Sequence, residues 1–378
     1  MPIGIACLAF VLATSGPARA AIIEVPTDYP TIQQAVDHAA PGDEIVVLAG
    51  TYAENVSLVS MTSLLIRSQG GASTTIVDGG LQGSVFAVQS STQIAIEGLT
   101  IRHGTLGVEI SDSSGIRVRH NVIEGNIGAG DGGGIAVVGS NASIESNEIL
   151  NNSANVNAAL DGGGIFFHGT SGVVTGNRIQ GNLAHEGGGI IINQPTVDLV
   201  VAGNLFIANR ATYYGGGIYV NVGTHPEIRS NTIAGNSASV AGGGVWYTQA
   251  SAPAISRNII AGNSAPTGGG VHAFLPGTSP TFACNDAWNN PGGNYTGYQL
   301  DPTVTNGNIA ADPRFCDAAG GDYRLDESSP CAPDHSPPGC ELIGALDIGC
   351  GTTAVEPATW GAIKSHYGRA PAAVARRR

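Results

Sequence analysis

DGGGIFFHG, residues 161–169, sets three consecutive glycines directly before Ile165, Phe166 and Phe167, which favour a strand. Glycine loses more conformational freedom on folding than any other residue. A triplet is therefore unfavourable unless the chain needs the missing side chains there. The arrangement recurs. Triplets begin at Gly132, Gly162, Gly187, Gly215, Gly242 and Gly268, and run into Ile135, Ile165, Ile190, Ile218, Val245 and Val271. Asparagines keep step at 121, 147, 177, 204, 231, 258 and 285, each with another asparagine five residues on. The spacing settles at 27 residues, the mark of one structural unit stacked many times.

One unit, Ile165 to Gly189, holds two or three short strands: IFFHG, then the alternating VVTGNRI, then a return through QGN and LAHEGGG. It has no room for a helix. A propeller blade needs four antiparallel strands and about 40 residues, so this unit fits one turn of a parallel β-helix, with copies ~4.8 Å apart along the axis. The predicted fold class is all-β, a solenoid of about ten coils. Glycine and asparagine suit its sharp corners because both tolerate positive φ, and stacked asparagines can hydrogen-bond as a ladder. The triglycine is read as a corner without side chains, where adjacent coils approach closely. Ile135/Val137, Ile165/Phe167, Ile190/Ile192, Ile218/Val220, Val245/Tyr247 and Val271/Ala273 are expected to line the core.

A solenoid needs closed ends. Residues 25–56 supply one: a short helix starting near Thr31, with Ile32, Ala35, Val36 and Ala39 on its apolar side, stopped by Pro41-Gly42-Asp43. Residues 1–20 read as a secretory signal peptide, with the apolar stretch IGIACLAFVLA and ARA before Ala21. The predicted organisation is a signal peptide (1–20), a cap and first coil (21–60), the β-helix (61–300), a cysteine-containing closure (301–351) and a tail (352–378).

TIQQAVDHA (31–39) followed by DEIVVLAGTYAENV (43–56) resembles the opening of pectinesterases and other right-handed parallel β-helix proteins of the pectin lyase-like superfamily. The N-x-I-x-x-N and GGG-[IV] units resemble that superfamily's generic repeats, over about residues 25–290. The resemblance implies a right-handed solenoid and no single activity, since that fold hosts lyases, hydrolases, esterases, epimerases, phage tailspikes and adhesins. It carries no catalytic residue across. The GTVDFIFG-like segment of pectinesterases, the polygalacturonase NTD and Gly-His-Gly segments, the pectate lyase WxDH pattern and the calcium-binding GGxGxD repeat are all missing.

Composition narrows the partners. Net charge is −13 and Lys364 is the only lysine, so the surface repels nucleic acid, anionic lipid and polyanionic glycans unless a cation bridges them, and nucleic acid is not an expected partner. No apolar run is long enough for a membrane-spanning helix. A monomeric secreted or cell-surface protein is expected. Five cysteines follow the signal segment, all in the last quarter of the chain. The expected pairs are Cys316 with Cys331 and Cys340 with Cys350, leaving Cys284 odd, although sequence does not fix connectivity.

Two columns could carry function. Asp131, Asp161 and Glu186 precede successive triplets, so three carboxylates stack roughly 5 Å apart. Such anions raise one another's pKa or invite a cation such as Ca²⁺; no other cofactor is implied. As a catalytic set they would serve a polysaccharide lyase or glycoside hydrolase. The other column alternates outward from the core: Phe166, His168, Asn193, Tyr219, Asn221, Trp246 and His272 form an aromatic and amide strip suited to a polysaccharide or cell-surface glycan. Non-catalytic binding through this strip is the first expectation, the enzyme the alternative, and a structural spacer the third. Glu97, Arg119 and Glu145 form a further column, expected to ion-pair between coils, with Arg102 and Arg117 as a weak basic patch. The tail, with Trp360, Ile363 and Tyr367 on one face, suggests a docking segment.

Overall fold

The five-residue step between paired asparagines sets the width of one side of the coil. The computed structural model describes residues 20–350 apart from 195–197, 249, 277–279 and 300. The expected signal peptide and tail lie outside the described residues. Each coil runs through three short strands, for example Asn141–Glu145, Glu148–Leu150 and Ile165–His168, with the two-residue strand Ser153–Ala154 at one corner. The strands of the coils pair in parallel with their copies in neighbouring coils: Ile144 lies between Val118 and Val174, and Ile165 between Ile135 and Ile190. The three strand positions build sheets A, B and C, of eleven, ten and ten strands, with a five-stranded ribbon between B and C. The fold is a right-handed parallel β-helix.

All twelve residues expected inside from Ile135 to Ala273 are fully buried, and they join one cluster reaching from Ile23 to Phe282. Each buried Ile, Val or Phe contributes about 1.5–3 kcal/mol from water exclusion. The asparagines are buried too. Asn209 Nδ2 donates to the Ile179 carbonyl at 2.8 Å and to Asn236 Oδ1 at 2.9 Å, while its own Oδ1 accepts from the Asn182 backbone N–H at 3.1 Å. The ladder thus satisfies corner backbone groups that no strand can reach.

One detail corrects the sequence reading. The left-handed residue is not the asparagine but the one before it: Gly176, Gly203, Ser230 and Arg257 on one corner, Gly181, Ala208, Gly235 and Gly262 on the other. That residue makes the turn, and the turn points the following amide inward.

The triglycine behaves as expected. Gly163 and Gly164 donate to the Gly187 and Gly188 carbonyls at 3.2 and 3.1 Å, continuing the parallel ladder through the corner. A Cβ on Gly163 would lie 2.5 Å from the Leu183 carbonyl oxygen, and one on Gly164 2.5 Å from that of Gly189. Only glycine fits.

At the start, the helix Ile32–His38 buries Ile32, Ala35 and Val36 against the first coils, and Thr31 caps it by accepting from the Gln34 N–H at 3.1 Å. Glu54 accepts from the Ile32 and Gln33 N–H groups, tying the helix to the next coil. At the other end the chain turns back as a strap along the outer face of sheet B. Tyr323 and Ala345 pack on Leu205, Ile207 and Ala234, and Leu325 and Ile343 on Ile259 and Ala261.

Two disulfides tie the strap, and neither is an expected pair. Cys284 bonds Cys340, and Cys316 bonds Cys350. Among the described residues Cys331 is the free thiol, buried and donating to the Asp286 carboxylate at 3.2 Å. The fold-back brings Cys340 to the last full coil at Cys284, which neighbours along the chain could not reveal.

Candidate functional site on the outer face of sheet C

The first glycine of each triplet positions the site. Gly162, Gly187, Gly215 and Gly242 have φ between 63° and 72°, which folds each corner back over the outer side of its own strand. A Cβ on Gly187 would lie 2.7 Å from Ile191 Cβ, and one on Gly242 2.4 Å from Trp246 Cβ. The residues facing outward from sheet C are therefore covered. Leu106, Ala136, Phe166, Ile191, Tyr219, Ala241 and Trp246 form a second apolar cluster outside the main core.

This corrects the expected open strip. Phe166, Tyr219 and Trp246 are 8, 6 and 3 % exposed. Trp246 stacks between Tyr214 and Tyr219, with ring centroids 4.7 and 4.3 Å away. The rest of the predicted strip lies nearer solvent. His168 is half-buried beside Phe166, His272 meets Thr296 Oγ1 at 2.8 Å, and the Asn221 amide donates to Asn193 Oδ1 at 2.6 Å. Tyr213 and Phe274 form the exposed rim, both 41 % accessible.

The corner that covers the strip also carries the carboxylates onto this face. Asp161 N–H donates to Asp131 Oδ1, and Glu186 N–H to Asp161 Oδ1, each at 3.0 Å, so the acidic column is locked to successive coils. Asp131 is exposed; Asp161 and Glu186 are half-buried. Burial, then the charges of Glu186 and Asp131, push the Asp161 pKa up to about 7. His185 Nδ1 stands 3.6 Å from Asp161 Oδ1 and opposes that rise. Burial also raises Glu186, against a hydrogen bond that the Tyr219 hydroxyl donates to it. The Tyr219 hydroxyl is itself pushed up by burial and by Glu186. Among the described residues no three His, Cys, Asp or Glu side chains are grouped to hold a metal ion.

His185 and Tyr213 were not singled out as site residues. They stack at 5.1 Å because both occupy the position just before the acidic column, in adjacent coils. That shared position was the available signal. The basic patch is smaller than expected. Arg102 pairs with Asp78 at 2.9 Å, and Arg119 with Glu97 at 2.6 Å as the alternating column implied.

Solenoid and site together define a β-helix protein with an acidic, aromatic face. A family model described as right handed beta helix region matches residues 83–252 and 214–313, more than half of the chain, and the protein belongs to that family. Comparison with curated proteins gives no match. Among solved structures the chain is similar to a pectate lyase, Pel9A, at 12% identity over 87% of this chain and 96% of that one, with a TM-score of 0.58. It is also similar to an alginate lyase from Paenibacillus sp. str. FPU-7, at 18% identity over 74% and 98% of the two chains, TM-score 0.47. At these identities the likeness is one of fold.

Proposed function

We propose that the protein is a secreted or cell-surface polysaccharide-binding protein and that this face of sheet C is its contact surface. One observation carries the reading: exposed rings and half-buried carboxylates share the face, with Tyr213 and Phe274 outermost and Asp161, His185 and Glu186 beside them. Sugar rings stack on aromatic faces while carboxylates and amides take up hydroxyls. His168, Asn193 and Asn221 supply further polar contacts, and the buried Phe166, Tyr219 and Trp246 hold the rim rigid. The fold shared with a pectate lyase supports a polysaccharide partner. The disulfide-tied strap suits the oxidising compartment to which a signal peptide at residues 1–20 would send the chain. Retention on a panel of immobilised polysaccharides tests the reading. A glycan that holds the native protein should release a Tyr213→Ala, Phe274→Ala double variant; equal retention removes this face from the account.

A second reading, a glycoside hydrolase or lyase, is favoured by the Asp161 pKa of about 7. A carboxyl still partly protonated at neutral pH, with Glu186 beside it, is an acid and base of unequal strength on one face. Asp131 would be the third member of the set. Incubation with the same panel, with and without Ca²⁺, followed for new reducing ends and unsaturated products, separates the readings. Cleavage abolished by Asp161→Asn would make the protein an enzyme; binding without cleavage would leave it a binding protein.

A further inference from the structure

Each sheet of a solenoid ends in a strand with one unpaired edge, and such an edge recruits other strands unless it is blocked. The first coil blocks two of its edges with side chains. On sheet C, which starts at Val56–Val59, the Gln33 amide accepts the Ser57 N–H at 2.7 Å and donates to the Ser57 carbonyl at 3.2 Å. On sheet A, the Asp28 carboxylate accepts the Glu24 N–H at 2.8 Å, and the Asp28 N–H donates to the Glu24 carbonyl at 2.7 Å. At the far end, residues 306–309 close sheets A and B. Cys284 N–H donates to the Asn306 carbonyl at 3.0 Å, the Asn308 amide to the Phe282 carbonyl at 3.2 Å, and Ala287 N–H to the Ile309 carbonyl at 3.1 Å.

Sheet C ends differently. Its last strand, Tyr295–Gly297, pairs with Val271–Ala273 on one side only. Val271 N–H donates to the Asn294 carbonyl at 2.8 Å, and Tyr298 N–H to the Ala273 carbonyl at 3.1 Å. Both peptide groups are planar and trans, so their other halves, the Tyr295 N–H and the Gly297 carbonyl, point out of the sheet edge. Among the described residues neither has a partner. Pro291 to Gln299 contains no charged residue, although the whole chain carries −13. Tyr298 is 65 % exposed, and it stands one step past the Ala273–Gly297 pair, beside Phe274 on the exposed rim.

We propose that this edge pairs with the same edge of a second copy of the chain, antiparallel about a two-fold axis, with Thr296 facing its copy across that axis. The strand is complementary to itself. Its free donor at Tyr295 and free acceptor at Gly297 stand two residues apart, so in an antiparallel pair each Tyr295 N–H meets the Gly297 carbonyl of the other copy. Charge favours the same partner. Two chains at −13 repel over most of their surface, and they approach best where both are neutral. The Tyr298 and Phe274 rings flank the seam and lose water on pairing. The Gln33 block at the other end of sheet C prevents head-to-tail growth, so assembly stops at two and sheet C runs through both solenoids. This departs from the monomer expected from the sequence. It uses none of Asp161, His185 or Glu186 and does not rest on the function proposed for the face they share.

Sedimentation velocity of the whole chain over a range of concentrations tests the proposal. The native protein should shift from monomer to dimer as concentration rises, with no larger species. Tyr298→Asp, which sets two like charges at the seam, should lose the dimer and keep the native unfolding midpoint. Thr296→Cys reads the register. Residues facing across the axis as a non-hydrogen-bonded pair lie about 4.5 Å apart between Cα atoms, within reach of a disulfide, so mild oxidation should join two chains. Ser57→Cys, at the blocked end, should stay unlinked, and Asp161→Asn should dimerise like the native chain. The proposal is overturned if the native chain stays monomeric at every concentration or grows beyond two, or if Tyr298→Asp dimerises as well as the native chain. It is equally overturned if Thr296→Cys cross-links no better than Ser57→Cys.

Discussion

Gly216 and Gly235 stand at different corners of one coil and are glycine for different reasons. A Cβ on Gly216 would lie 2.4 Å from the Ser237 carbonyl oxygen, in a backbone ladder that cannot give way. Gly235 has open space around it but a φ of 64°. Gly216→Ala should therefore lose well over the ~1–3 kcal/mol of ordinary overpacking, and Gly235→Ala only about 1–2 kcal/mol of left-handed strain, read from denaturation midpoints. Asp161 gives a pH signature. Its folded pKa is about 7 against 3.8 for an ordinary aspartate, so the folded chain holds this proton more tightly than the unfolded chain does. The stability linked to that proton is complete below about pH 4 and is lost as pH rises through about 7. Three pKa units bound the loss at about 4 kcal/mol. Glu186 is raised as well and acts with the same sign. Thermal unfolding should show the native protein less stable at pH 8 than at pH 5, with Asp161→Asn reducing the difference. A flat profile in the native protein would contradict the burial of Asp161.

The corner is the element on which the fold and the site both depend. The Asn209 side chain closes four hydrogen bonds between coils, so Asn209→Leu strands the Asn182 N–H and the Ile179 carbonyl. At about 1–3 kcal/mol for each buried group left unpaired, the variant should lose several kcal/mol. Hydrogen exchange should locate the damage at Asn182 and Asn236 rather than at distant coils. Much of this element was legible. Asparagine at a fixed 27-residue spacing and glycine in threes declare a ladder and a close approach, because few other functions require those residues in register. The direction of the corner was not legible. Strand alternation puts Phe166, Tyr219 and Trp246 outside, and it does so correctly. Alternation says nothing of a positive φ at Gly162 or Gly242 that folds the corner across them. The same φ moves Asp161 from an exposed bend to a half-buried site, so the strip and the acidic column, read as two separate features, are one.

The whole molecule is a one-dimensional stack with a strap. Coils contact only their neighbours, so a local fault should remain local. The strap was expected as an end closure, and its cysteines were paired with close neighbours in sequence. Its path along sheet B depends on Leu325, Ile343 and Tyr323 meeting outward residues more than sixty positions earlier, which no periodicity announces. Replacing both Cys316 and Cys350 by serine opens a bond spanning 34 residues, which the chain-entropy relation places at about 3–4 kcal/mol. Exchange should rise in residues 315–348 and at the strap-covered face of sheet B, while the coils before Asn177 keep their protection. Uniform loss across the coils would show that the strap, not the stack, holds the solenoid.

The protonation of Asp161 reports on the corner geometry, the burial beneath it and the chemistry proposed for sheet C together. Carboxyl-carbon NMR of the native protein, titrated across the neutral range, measures it. A midpoint near pH 7 is expected, falling in a Glu186→Gln variant that removes the neighbouring charge. A midpoint near 3.8 in the native protein would mean that Asp161 is solvated, that the corner does not fold over sheet C, and that the proposed contact surface is not there.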